Sequence, residues 1–191
     1  MEALKEKIFR EGTAIGSDIV KVDSFLNHKL DVRFLEDIGR EFHRVFKSCN
    51  VTLILTAESS GIAVATATSK FFGYVPVIFA KKMKPNTLED EYHKATAKSF
   101  TKGTQSTLIV SKGFMQPGDT VLIIDDFMAH GEAASALCNL VEQAGGAVCG
   151  IGAVIDKRYQ GGYDKLKDAG YNVHSLAAID RIEDGKIIFT D

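Results

Sequence analysis

Two adjacent carboxylates, Asp125 and Asp126, end the apolar run Val121-Leu122-Ile123-Ile124 and precede Phe127-Met128-Ala129-His130-Gly131-Glu132-Ala133. Four branched apolar residues in a row read as a strand buried on both faces of a parallel sheet. Beyond the glycine, Leu137, Leu140 and Val141 recur at helical spacing, which predicts a helix over 134–144. A strand, a short loop and a helix start bring backbone N–H groups and the positive end of a helix dipole together, where phosphate is readily held. The acid pair beside that cradle can accept hydrogen bonds from hydroxyls or lie next to a magnesium-bound ligand. One anion cradle beside two anions suits a sugar phosphate: the loop 129–133 takes the phosphate and the acids take the ribose diol. By itself the acid pair also fits a metal site in a doubly wound domain of another kind.

The elements that must position these groups alternate along the chain. Leu4 and Ile8 lie on one side of a short charged helix ending near Gly12, and a polar, irregular stretch follows to about Val20. Asp31 is the expected N-cap of a helix carrying Phe34, Leu35, Ile38, Phe42, Val45 and Phe46 at intervals of three and four. Strands are expected at 51–56, 75–80, 148–155 and 173–179, helices at 62–72 and 164–169, and a terminal hairpin turn at Glu183-Asp184-Gly185. Between Lys81 and Thr107 the periodicity is lost. Repeated strand–helix units imply an α/β fold with a mostly parallel sheet flanked by helices, in which ligands bind outside the carboxyl ends of the strands. That rule gathers 57–61, Lys81-Lys82, 125–133 and Asp156-Lys157 into one site. Ser59 and Ser60 fit either an anion-binding loop or an ordinary helix cap. Lys81, Lys82 and Lys157 fit either ligand contacts or solvated strand ends.

At 191 residues the chain is expected to form one domain over 1–191, with 45% hydrophobic and 25% charged residues and a formal net charge of −2. Such a balance gives no basic face for nucleic acid and no membrane surface. Three cysteines without metal spacing make a disulfide framework or zinc site unexpected, and no protein metal site is expected. A charged N-terminus without an apolar core points to a cytoplasmic location.

The apolar strand, acid pair and small glycine-containing loop resemble the phosphoribosyl diphosphate (PRPP) motif of the type I phosphoribosyltransferases. The resemblance implies that fold, with a small hood at about 1–30 and a flexible lid at about 84–106. It implies that Asp125 and Asp126 contact the ribose hydroxyls and that Ala129, His130, Gly131, Glu132 and Ala133 wrap the 5′-phosphate. The chain has His130, Gly131, Glu132 and Ala133 where many members carry hydroxyl residues. Glu132 is therefore expected to lend its N–H and turn its carboxylate away. Ser59 and Ser60, with Lys81 or Lys82, would face the diphosphate, and the lid offers Tyr92, His93 and Lys94. Mg2+ would be carried by PRPP itself.

Over nearly the full length, through Glu58-Ser59-Ser60-Gly61, Ser99-Phe100-Thr101-Lys102 and Ile124-Asp125-Asp126-Phe127, the chain is similar to the bacterial xanthine phosphoribosyltransferases. The match includes Val20-Lys21-Val22-Asp23-Ser24-Phe25-Leu26-Asn27-His28, which resembles their base-recognition hood. That similarity implies xanthine as base, with Val20 packing on or hydrogen-bonding it through the backbone and Asn27 at its edge. Lys157, which only donates hydrogen bonds, would meet the 6-carbonyl. It also implies a homodimer. Guanine or hypoxanthine is the alternative base. A PRPP-sensing regulator of nucleic acid is the alternative of another class, disfavoured by the slightly acidic charge.

Overall fold

The computed structural model describes residues 1–82, 92–99 and 104–190. Period-two alternation on its central strands generates two cores, one on each face of a sheet. Along β3 (Leu53–Ala57), Leu53 and Leu55 face one core and Ile54 the other; along β7 (Thr120–Met128), Val121 and Ile123 oppose Leu122 and Ile124. The first core is closed by Leu137, Leu140 and Val141 of α4 (Glu132–Gln143) and by Leu166 of α5 (Gly162–Asp168). The second is closed by Leu4 and Ile8 of α1 (Glu2–Glu11), by Ile38, Phe42 and Phe46 of α2 (Val32–Phe46), and by Val64 of α3 (Gly61–Ser69). Each large side chain so enclosed contributes roughly 1.5–3 kcal/mol. Asp31 caps α2, its Oδ1 accepting from the Phe34 N–H at 3.1 Å, as its position before the periodic run predicts.

The sheet adds β4 (Val77–Lys82), β5 (Tyr92–Ser99), β6 (Thr104–Ser111), β8 (Ala147–Lys157), β9 (Val173–Glu183) and β10 (Lys186–Phe189), in the order β10-β9-β8-β7-β3-β4-β6-β5. From β9 to β4 neighbours run parallel; β10, β6 and β5 are antiparallel additions. The winding reverses between β3 and β7, and their pairing stops at Leu55↔Ile123. Both chains continue beyond that pair without a shared ladder, so a crevice opens at the switch point, where ligands of wound sheets sit.

Three expectations need correction. The stretch after α1 is not irregular to Val20: β1 (Thr13–Ile15) and β2 (Ile19–Lys21) form an antiparallel hairpin. Its strands alternate weakly and are mostly exposed, so hydrophobic patterning does not announce them. The aperiodic segment from Lys81 to Thr107 contains most of a second hairpin, β5–β6, joined through eight residue pairs. Its buried positions on β5 are alanines, Ala95 and Ala97, too small to register as a strand. Residues 83–91 and 100–103, the rest of the expected lid, lie outside the described residues. The helix after the acid pair starts at Glu132 rather than at 134, so Glu132 and Ala133 form its first turn. Among the described residues no helix is long and apolar enough to cross a membrane.

Candidate active site

Two adjoining cavities of about 270 Å³ each occupy the crevice. One lies over the segment 128–134 at the start of α4; the other lies under Glu58, Ser59 and Ser60 at the start of α3. Lys82, Ala97, Ser106, Asp125 and Ala133 line both, and Asp126 lines the second. Two helix N-termini therefore flank one acid pair, each contributing backbone donors and a positive dipole end.

Gly131 is the N-cap of α4 with φ +74°, a left-handed conformation that costs a side-chain-bearing residue about 1–2 kcal/mol. A Cβ there would also lie 3.1 Å from the Gly162 carbonyl oxygen. The Glu132 carboxylate pairs with Lys165 of α5 at 2.7 Å, which leaves its backbone in the helix start. His130 Nδ1 lies 3.0 Å from the Gln160 carbonyl oxygen, an arrangement that fixes its ring against the 158–162 turn.

Gly61 begins α3 against the acid pair. A methyl group at this position would run into the Thr56 hydroxyl and come within 2.9 Å of Asp125 Oδ1. Thr56 is fully buried, and its Oγ1 finds no hydrogen-bond partner among the described residues. Asp125 as a residue keeps partial exposure, but its carboxyl is enclosed. Burial pushes that carboxyl well above the usual carboxylate range; the charge and hydrogen bond of Asp126 push the same way, and the Lys82 ammonium opposes them. The pair is thus not an exposed strand end. Asp125 Oδ1 accepts from the Asp126 N–H at 3.0 Å.

Of the two lysines, Lys82 lines both cavities, whereas the Lys81 ammonium lies 5.8 Å from the Phe79 ring. Glu58 Oε1 accepts from the Lys82 N–H at 2.6 Å and ties the loop before α3 to the end of β4. Ala97 and Ser106 were not legible as site residues, because the β5–β6 hairpin that carries them shows no strand pattern.

The residues expected to meet the base, Val20, Asn27 and Lys157, line neither cavity. Val20 is buried on β2, and Asn27 Oδ1 is buried without a partner among the described residues. Lys157 Nζ donates to the Asp18 carbonyl at 2.6 Å, in the turn of the β1–β2 hairpin, and stands 6.0 Å from the Phe127 ring centroid. The hairpin is thereby drawn onto the end of β8. Asp18 was not singled out by its sequence: nothing in an exposed turn announces a partner some 140 positions away.

A model of the phosphoribosyl transferase domain matches residues 23–174 of the chain. The chain belongs to that family. It is 46% identical over 191 residues, the whole of both chains, to the xanthine phosphoribosyltransferase of Ruminiclostridium cellulolyticum. It is 48% identical over 189 residues to xanthine phosphoribosyltransferase 1 of Clostridium perfringens, covering 99% of this chain and 100% of the relative. Among solved structures, the adenine phosphoribosyltransferase of Rhodothermus marinus superimposes with a TM-score of 0.74 at 22% identity, over 94% of this chain and 100% of the other. That of Saccharomyces cerevisiae gives 0.71 at 21%, over 92% and 99%. At such identities the likeness is one of fold, and the fold is that of the type I phosphoribosyltransferases.

Proposed function

We propose that the protein transfers the 5-phosphoribosyl group of PRPP to xanthine, giving xanthosine 5′-monophosphate and diphosphate, in the salvage of purines. The observation that carries this reading is the acid pair, its Asp125 carboxyl enclosed, between two anion-ready helix starts in a chain nearly half identical to enzymes named for that reaction. The 5′-phosphate takes the loop of Ala129, His130 and Gly131 and the first turn of α4, Glu132 and Ala133. The diphosphate takes Ser59 and Ser60 with Lys82; Lys81, on the same strand end, adds positive charge at longer range.

Asp125 and Asp126 hold the ribose hydroxyls. The enclosed Asp125 carboxyl, raised chiefly by burial, retains its proton to higher pH than an ordinary carboxyl. Carboxylate charge fixed beside the sugar stabilises the positive charge that develops on the ring as the bond to diphosphate breaks. An imidazole-ring nitrogen of the base then forms the new bond to the anomeric carbon. Val20, Asn27 and Lys157 form the base subsite, with Lys157 donating to the 6-carbonyl and Asn27 reading the far edge.

The oxygen-only donors at this strand end suit a hard cation that prefers oxygen ligands. Asp125 and Asp126 are the side chains that would adjoin Mg2+, with PRPP and water completing its shell. Bound there, it would neutralise charge on the diphosphate leaving group. The same reading has the chain acting as a single domain, as a cytoplasmic homodimer, with 1–30 as hood and 84–106 as lid. Diphosphate release with PRPP, Mg2+ and each purine in turn tests it. Release with xanthine above all others is expected, and release with none of the 6-oxopurines sinks it.

A further inference from the structure

β8 leaves the sheet at Lys157, and the chain turns through 158–162 before α5 begins. Three residues here, Lys157 at the strand end and Tyr159 and Gln160 in the turn, reach one residue of the β1–β2 hairpin, Asp18. Lys157 Nζ donates to its carbonyl at 2.6 Å, Tyr159 Oη to the same carbonyl at 3.4 Å, and Gln160 Nε2 to its carboxylate Oδ1. Tyr159 Oη also lies 3.5 Å from that Oδ1. On its other side the turn touches the phosphate loop. His130 Nδ1 meets the Gln160 carbonyl, and the Gly162 N–H donates to the Ala129 carbonyl at 3.1 Å. The turn is itself stiffened: Arg158 Nε donates to the buried Asp156 carboxylate at 2.7 Å, and the guanidinium lies 3.6 Å from the Tyr163 ring centroid.

A lysine ammonium at the end of four methylenes loses rotamer freedom when it is fixed. If that loss occurred on meeting the base, it would be subtracted from base affinity. The Asp18 carbonyl fixes Lys157 beforehand and leaves two of its N–H donors for another acceptor. The carbonyl stays in place because the Asp18 carboxylate is held by Gln160 and Tyr159. Burial, with the charge of Asp18 adding, pushes the Tyr159 phenol up to about 12, so it remains a donor throughout the neutral range.

We propose that Asp18 is a positioning residue for base recognition: its carboxylate latches the β1–β2 hairpin to the 158–162 turn, and its carbonyl aims Lys157 at the base. This rests on the reading that Lys157 meets the 6-carbonyl. Asp18 is half-buried in a surface turn, so D18A is expected to fold.

The test is steady-state kinetics on the full chain with PRPP, Mg2+ and xanthine. D18A should raise KM for xanthine about tenfold, which corresponds to about 1.4 kcal/mol, within the range of hydrogen bonds to charged groups. KM for PRPP and kcat at saturating base should change by less than about twofold, because uniform base binding alone is lost. D18N keeps the carbonyl and an Oδ1 acceptor for Gln160 and should restore most of the affinity. Tyr159→Phe with Gln160→Ala should reproduce the D18A effect without touching the hairpin. An unmoved KM for xanthine in an active D18A enzyme, or equal increases for PRPP and xanthine, overturns the latch alone. Wild-type protein inactive on every 6-oxopurine overturns the reading of the base subsite and the latch together.

Discussion

The proposed phosphate side and the proposed base side of this site are built by different means. On the phosphate side, two strand ends deliver two helix N-termini, whose backbone N–H donors are placed by local geometry at Gly61 and Gly131. On the base side, side chains of β8 and the following turn hold a hairpin from the other end of the chain, through hydrogen bonds such as Lys157 to Asp18. The first construction needs only a few consecutive residues. The second exists only after the sheet has formed. Substitutions on the phosphate side should therefore abolish transfer broadly, whereas those on the base side should alter which base is taken.

The largest expected effect is at the acid pair. Asp125→Asn with Asp126→Asn should lower turnover by at least about 10²–10³, the scale of losing a positioned group in a water-excluded site. Near-normal turnover would falsify the ribose assignment. Asp125 adds a signed stability test. Its folded-state value is raised above the ordinary 3.8, so the folded form binds the proton more tightly than the unfolded chain does. That stability is fully present below 3.8 and is lost as pH rises through the folded value. At neutral pH Asp125→Asn should then raise the thermal midpoint while removing activity, and the gain should vanish near pH 3. A lower midpoint at pH 7 contradicts the enclosed-carboxyl reading.

Next come the two glycines. Gly61→Ala pushes a methyl group into Thr56 and Asp125, and a displacement of about 1 Å at reacting groups can cost about 10²-fold in rate. Gly131→Val combines a left-handed φ with a close carbonyl and should weaken PRPP binding more than it lowers thermal stability. Calorimetry with unchanged PRPP affinity would remove the phosphate-loop assignment.

Base-side changes should be smaller and selective. Lys157→Ala should weaken xanthine, guanine and hypoxanthine together by about 10–100-fold, since an unpaired carbonyl costs about 1–3 kcal/mol. Asn27→Ala should instead narrow the preference for xanthine over hypoxanthine. The ratios of kcat/KM for the three bases decide it, and ratios indifferent to Asn27 would place the selecting group elsewhere. The smallest effect is expected at Glu132→Gln. Its carboxylate serves Lys165 at the surface, a pair worth about 0–1 kcal/mol, so PRPP affinity should stay within about twofold. A large change would mean that the carboxylate faces the phosphate.

Local order was readable in advance where one residue class repeats at one period. The doubled apolar strand at 121–124, the Asp31 cap and the α2 stripe all declared themselves, because burial on a fixed face leaves a fixed spacing. The β5–β6 hairpin stayed hidden. Its β5 strand buries Ala95 and Ala97, which carry almost no hydrophobic contrast, and its long ladder is specified by the partner strand. The same limit concealed Ala97 and Ser106 as cavity walls. Choosing between Lys81 and Lys82 also required the sheet, because side-chain direction on a short strand depends on its register with the neighbours.

The sequence by itself determined the wound α/β pattern and the acid pair ahead of a glycine-capped helix, because each depends on residues within one or two turns of chain. Tertiary structure alone decided the rest. It set the parting of β3 and β7 that opens the crevice, the enclosure that lifts Asp125, and the placement of Lys82 along both cavities. It also made the latch through which Asp18 holds Lys157. Desolvation and hydrogen bonds across some 140 residues arise only when distant segments are packed together, and no local spacing encodes that distance.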